Sequence, residues 1–114
     1  MKYALLLYSS PEARDRHVDG GDAIVAEYAA LFNAPGVVDG LRLEGPDTAT
    51  TVRVDDGETL LSDGPFVDAK EYLGGLYLIE AENLDAATAI AQKIPAARLG
   101  GAVEVRPINE QSLR

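Results

Sequence analysis

"SDGPFVDAKEYLGGLYLIEA", residues 62–81, is the stretch on which the fold turns. Its second half, Gly75 to Ala81, is apolar, rich in Leu, Tyr and Ile, and too short for a stable helix, so it reads as a strand. Successive strand side chains point to opposite sides, which puts Leu76 and Leu78 on one face and Tyr77 and Ile79 on the other. Large apolar groups on both faces require cover on both. The first half gathers Asp63, Asp68, Lys70 and Glu71 around a Gly64-Pro65 turn signal. It is either a connection between strands or a site.

Working outward, "KYALLLY" (Lys2 to Tyr8) reads as a first strand, with Tyr3, Leu5 and Leu7 on one face and Ala4, Leu6 and Tyr8 on the other. Ser9 to Gly21 is polar, holds Pro11 and Gly20-Gly21, and reads as a loop. Asp22 then caps a helix whose Ile24, Tyr28, Leu31 and Phe32 share one face, and Pro35-Gly36 ends it. "VVDGLRLEGP" is a short extended segment. "TATTVRV" and "ETLLS" flank Asp55-Asp56-Gly57 and read as a β-hairpin over residues 50–62. "NLDAATAIAQKI" is a second helix capped by Asn83, with Ala87, Ile90, Ala91 and Ile94 on its buried face, and Pro95 stops it. "AVEVRPI" is a last strand that alternates Val103 and Val105 against Glu104 and Arg106, and the tail "NEQSLR" frays.

That order is an α+β chain of the ferredoxin-like, split βαβ plait with an inserted β-hairpin, in a single domain over residues 1–114. Two helices cover one face of such a sheet. The other face carries apolar residues such as Leu6 or Tyr77, so the expectation is a homodimer of the dimeric α+β barrel type, with any pocket at the junction.

Composition narrows the function classes. The hydrophobic fraction of 46% and charged fraction of 25% are those of an ordinary globular domain. No cysteine is present, which removes disulfides, thiolate metal sites and thiol nucleophiles, and with one histidine a zinc-like centre is not expected. The formal net charge of −9 repels phosphate backbones, so nucleic acid is not an expected partner. The apolar run near the N-terminus is shorter than a signal-peptide core, and no segment approaches the ~20 apolar residues of a membrane helix; a cytoplasmic protein without membrane contact is expected. The glycine pairs at 20–21, 74–75 and 100–101 lack phosphate-loop or dinucleotide spacing, and no cofactor is expected.

"DGPFVDAKE" followed by "LGGLYLIEA", with "GGAVEVRP" later, resembles the DGPF branch of the YCII-related family, small bacterial proteins described by a DGPFAETKE-like motif. The resemblance runs from "MKYALLLY" to "VEVRP" and implies a dimeric ferredoxin-like plait. Relatives include muconolactone isomerases and a dehydrochlorinase, and the wider group has a proposed histidine–aspartate pair near the first helix. Here those two positions fall near Gly20 and Ala34, neither of which transfers a proton, so the pair is not carried over.

The candidate site residues each have a structural and a functional reading. Asp63 either folds onto backbone amides before Gly64-Pro65 or acts as a general base. Lys70 is a rim charge or an anion binder, and Glu71 is its neighbour on that rim. His17 is the one side chain that titrates near neutrality, set in the expected loop, where it is either solvated or catalytic. Phe66 is a core or interface anchor or a stacking platform. Arg106 clamps a carboxylate or pairs with Glu104, Asp63 or Glu71. Tyr77 is a packed core residue or a cleft hydroxyl. Asp63, Lys70 and His17 form the catalytic set, and Arg106, Glu71, Tyr77 and Phe66 the ligand-binding set.

Two function classes follow, beside a third reading as a purely structural interaction module. One is a cofactor-independent enzyme using acid–base chemistry on a small organic anion in a dimer cleft. The other is a non-catalytic ligand-binding or accessory protein, which the resemblance links to an extracytoplasmic-function sigma factor.

Overall fold

The apolar run at 75–81 is the greater part of β5 (Tyr72–Glu80), the longest strand in a computed structural model that describes residues 1–113. Around it the chain runs β1 (Lys2–Ser9), α1 (Pro11–Leu31), β2 (Val37–Arg42), β3 (Thr50–Asp55), β4 (Glu58–Asp63), β5, α2 (Leu84–Ala91) and β6 (Ala102–Pro107). Four of the strands make an antiparallel sheet in the order β2-β5-β1-β6, and β3 with β4 makes a separate two-stranded ribbon. With the ribbon set aside this is the ferredoxin-like α+β order, two βαβ halves interleaved so that their first strands are central.

Register decides what each face carries. Leu5 pairs with Tyr77 on one side and Val105 on the other, and Tyr3 pairs with Ile79. These side chains point toward the helices, where Tyr3, Leu5, Tyr77 and Ile79 are buried with Leu31, Ala87, Ala91 and Ile94. Alanines at 87 and 91 let α2 sit close to the sheet. Asn83 caps that helix, its side chain accepting from the Ala86 amide at 2.9 Å. The hairpin forms where expected, with Asp56 and Gly57 both at positive φ, the pair of conformations that a tight two-residue turn between twisted strands needs. Among the described residues no helix is long and apolar enough to cross a membrane.

Residues 9–21 differ from the expected loop. Ser10 caps a helix that begins at Pro11, accepting from the Ala13 amide at 3.2 Å, and α1 continues through the whole charged stretch. Pro11 stands at the start of the helix, where its missing N–H costs nothing. The glycines that look like a stop produce a kink, since Gly21 alone leaves helical geometry (φ 59, ψ −143). Of residues 11–20 only Ala13 is buried, so no apolar period advertises this half of the helix. The helix cap is accordingly Ser10 and not Asp22. Part of the tail is ordered too, as a 3-10 turn at Glu110–Ser112.

The Gly74-Gly75 pair separates into two roles. A Cβ on Gly75 would stand 2.7 Å from the Leu41 carbonyl oxygen of β2, whereas one on Gly74 would meet nothing closer than 3.8 Å. Gly75→Ala should therefore cost about 1–3 kcal/mol by forcing β2 and β5 apart, and Gly74→Ala much less. Urea unfolding of the two variants reads the difference, and equal stabilities would refute it.

Candidate functional site

Residues paired directly across strands lie on the same face of a sheet. Ala4 therefore shares the helix-free face with Leu78 and Arg106, and Leu6 shares it with Leu76 and Glu104. Leu41 of β2 opposes Leu76 and extends this apolar row to the sheet edge, where it is half exposed. At the end of β1 the register slips. Leu7 pairs with Gly75 but Tyr8 pairs with Leu73, so Gly74 is an extra residue, a bulge. Tyr8 keeps the alternation of Ala4 and Leu6, and the slip carries Leu73 onto its side. Without the bulge Leu73 would point toward the helices.

The bulge opens one wall of a groove. Tyr8, Leu43, Tyr72 and Leu73 line it from the sheet end, and Pro65 and Val67 line it from the segment leaving the hairpin, around a volume of about 530 Å³. That is within the ~300–1,000 Å³ of small-molecule sites. Beside it lies a charged recess of about 230 Å³ formed by Ser10, Glu12, Arg16, Lys70, Glu71 and Gly100. Glu71 borders both. A third cation stands close by, for the Arg14 guanidinium lies 5.9 Å from the centre of the Tyr72 ring. An apolar chamber thus adjoins a charged one across a single carboxylate.

Of the residues singled out in the sequence, Lys70 and Glu71 reach this place. Lys70 Nζ sits 3.2 Å from Glu12 Oε1, an exposed pair in which both partners remain open to solvent. The Glu12 carboxyl is held below its usual range, first by its own backbone amide and then by Lys70. Glu71 is in no ion pair among the described residues. Asp63 ends β4 opposite Thr50, outside the groove lining, and makes no side-chain hydrogen bond of the Asx-turn kind among the described residues. Phe66 is not a core anchor within the chain. It is 67% exposed, and the Arg53 guanidinium lies 4.6 Å over its ring. Arg106 lies on the helix-free face and bonds Glu104 at 2.9 Å, two residues away on the same strand. Tyr77 is corrected from the helix-free face to the core, where it packs beneath the tilted ring of Phe32. Burial pushes its hydroxyl's pKa upward.

His17 is not in a loop. It lies on α1, with Nδ1 2.7 Å from the Ala13 carbonyl oxygen and Nε2 2.8 Å from the Tyr28 hydroxyl. A carbonyl only accepts, so Nδ1 carries the proton, and in the neutral ring Nε2 accepts from Tyr28. The bond spans the Gly21 kink and ties the two halves of the helix. It also leaves His17 outside both the groove and the recess.

Tyr8, Tyr72, Arg14 and Arg16 are not among the site residues to which the sequence points. The arginines look like solvated charges in a breaker-rich segment until that segment is known to be a helix beside the recess. The signal that was present is Ser10-Pro11, a helix start.

The Tyr28 hydroxyl has its pKa pushed up to about 12, chiefly by burial, against 10.0 for a free tyrosine. Its neutral form is favoured by folding, so its contribution is complete below about pH 10 and is lost as pH rises through about 12. Stability measured across that alkaline window should fall in the natural chain and fall less steeply in Tyr28→Phe. Parallel profiles would refute the assignment.

Comparison with known proteins gives three results. The family model described as YCII-related domain matches residues 1–112. An uncharacterised protein of Rhizobium meliloti (strain 1021) is 34% identical over 117 aligned residues, covering 95% of this chain and 92% of that one. Among solved structures, 5-chloro-2-hydroxyhydroquinone dehydrochlorinase (TftG) of Burkholderia phenoliruptrix AC1100, in complex with 2,5-dihydroxybenzoquinone, superposes with a TM-score of 0.57. It is 18% identical and the match covers 96% of this chain and 94% of that one, a likeness of fold.

Proposed function

The chain belongs to the YCII-related family, and from that premise we propose that it is a homodimer that takes a small organic anion into the groove at the end of its sheet and acts on it by proton transfer. The observation that carries this reading is the shared Glu71 wall. An apolar skeleton fits against Tyr8, Leu43, Tyr72 and Leu73, while an ionised oxygen or carboxylate reaches the cations of the recess. Lys70 and Arg16 bind that anionic group. Glu71, unpaired and at the junction, accepts the proton from the part of the molecule that lies at the boundary. No cofactor enters the scheme. Asp63, His17, Tyr77, Phe66 and Arg106 line neither space within one chain, so the scheme gives them no role.

The fold likeness to a dehydrochlorinase solved with a quinone supports a small ring compound as the first class to try. Small aromatic carboxylates and phenolates, titrated into the protein and followed by calorimetry, should include binders. Because the Lys70–Glu12 pair is open to solvent, Lys70→Ala should leave the melting temperature nearly unchanged while weakening binding about tenfold or more. Glu71→Gln should retain binding and lower turnover by roughly 10²–10⁴-fold. If no such anion binds, the groove reading fails. Binding without turnover in the natural chain would instead make this a ligand-binding protein.

A further inference from the structure

The β3–β4 ribbon is amphipathic and uncovered. Val52 pairs with Leu61 and Val54 with Thr59, so these side chains share one face, while Thr51, Arg53, Asp55, Glu58, Leu60 and Ser62 share the other. The apolar face is bare. Val52 is 60% exposed, and Val54 and Leu61 are each 68% exposed. Among the described residues the two strands pack chiefly on each other. A lone two-stranded ribbon is marginal in water, and one with an exposed apolar face is more costly still.

The molecule's shape agrees. Its Cα radius of gyration is 15.9 Å, against about 13 Å for a compact chain of this length. The extents are 46 × 40 × 19 Å, a slab one sheet and one helix layer thick with the ribbon projecting from it.

We infer that the ribbon is an intersubunit arm, whose Val52, Val54 and Leu61 face lies on the helix-free sheet face of a second copy of this chain. The inference rests on the dimer reading above and is independent of the ligand. Area argues for this occupant. Four strands of about six residues, at ~4.8 Å spacing and ~3.3 Å rise, give a helix-free face of on the order of 400 Å². A stable interface buries about 800 Å² per partner, so sheet against sheet is too small by itself. The arm adds about 200 Å² of flat area on the same geometry, which brings the face offered to a partner to roughly 600 Å² before side-chain relief, nearer that size than the sheet alone. The uncovered sheet face and the uncovered arm belong to one chain, and a two-fold arrangement satisfies both at once.

The arm bears on the site as well. The groove lies on the helix-free side between the sheet end and the root of the arm, and it is open to solvent in a single chain. A partner that covers sheet and arm closes it. The site is therefore incomplete without the second copy.

Light scattering on four proteins tests this: the natural chain, Val54→Asp, Leu61→Asp, and Ser62→Asp as a control on the opposite face of the ribbon. The substituted positions are exposed and meet only their cross-strand neighbours in the ribbon, so each variant should fold, which circular dichroism checks. The expected result is a natural dimer that Val54→Asp and Leu61→Asp each weaken on the order of a hundredfold or more, and that Ser62→Asp leaves intact. A monomeric natural chain would overturn both the dimer and the arm. A natural dimer unaffected by Val54→Asp and Leu61→Asp, or affected equally by all three substitutions, would overturn the arm alone. A dimer that obeys the arm prediction yet binds no small anion would sink the ligand reading and leave the arm standing.

Discussion

Two helices cover one face of a four-stranded sheet, and the other face is left to whatever lies outside the chain. The rest of the structure is arranged around that constraint. The covered face takes Tyr3, Leu5, Tyr77 and Ile79 into a small core closed by alanines on α2 and by Leu31. The uncovered face keeps an apolar row, Leu41, Leu76 and Leu6, which ends in the charged Glu104 of β6. Such a row is neither a core nor an ordinary wet surface.

At the sheet end the constraint yields a site. A single extra residue, Gly74, moves Leu73 onto the uncovered side and sets it beside Tyr8 and Leu43. The same short stretch then crosses from the apolar groove to the recess of Lys70 and Glu71 within two residues. The other side of that recess comes from α1, whose first turns carry Glu12 and Arg16 to it and set Arg14 over the Tyr72 ring. Helix and strand each supply one side of a space that neither encloses.

Much of the fold was legible because its signals are local. Short apolar runs marked β1 and β5, alternation of apolar and charged side chains marked β6, Asp56-Gly57 marked the hairpin, and Asn83 marked the start of α2. The first half of α1 was not legible, since a helix lying largely in water carries no apolar stripe and its glycines mimic a stop. Within the site, Lys70 and Glu71 stood out as charges next to a buried strand. Arg16 and Tyr8 did not, because their place depends on how α1 and β1 sit against residues far away in the chain.

By itself, then, the sequence determined the α+β order, the apolar character of both faces of the central strands, and the unfavourable charge for binding phosphate polymers. These follow from periodicity, turn chemistry and net charge, which act over a few residues or over the whole chain without regard to its path. Only the tertiary structure decided which charges meet. It paired Lys70 with Glu12 and Arg106 with Glu104, turned His17 to Tyr28 across a kink, sent Tyr77 into the core and left Phe66 outside. Each depends on a register or helix start that shifts a side chain by several ångströms, and a contact between side chains does not survive such a shift.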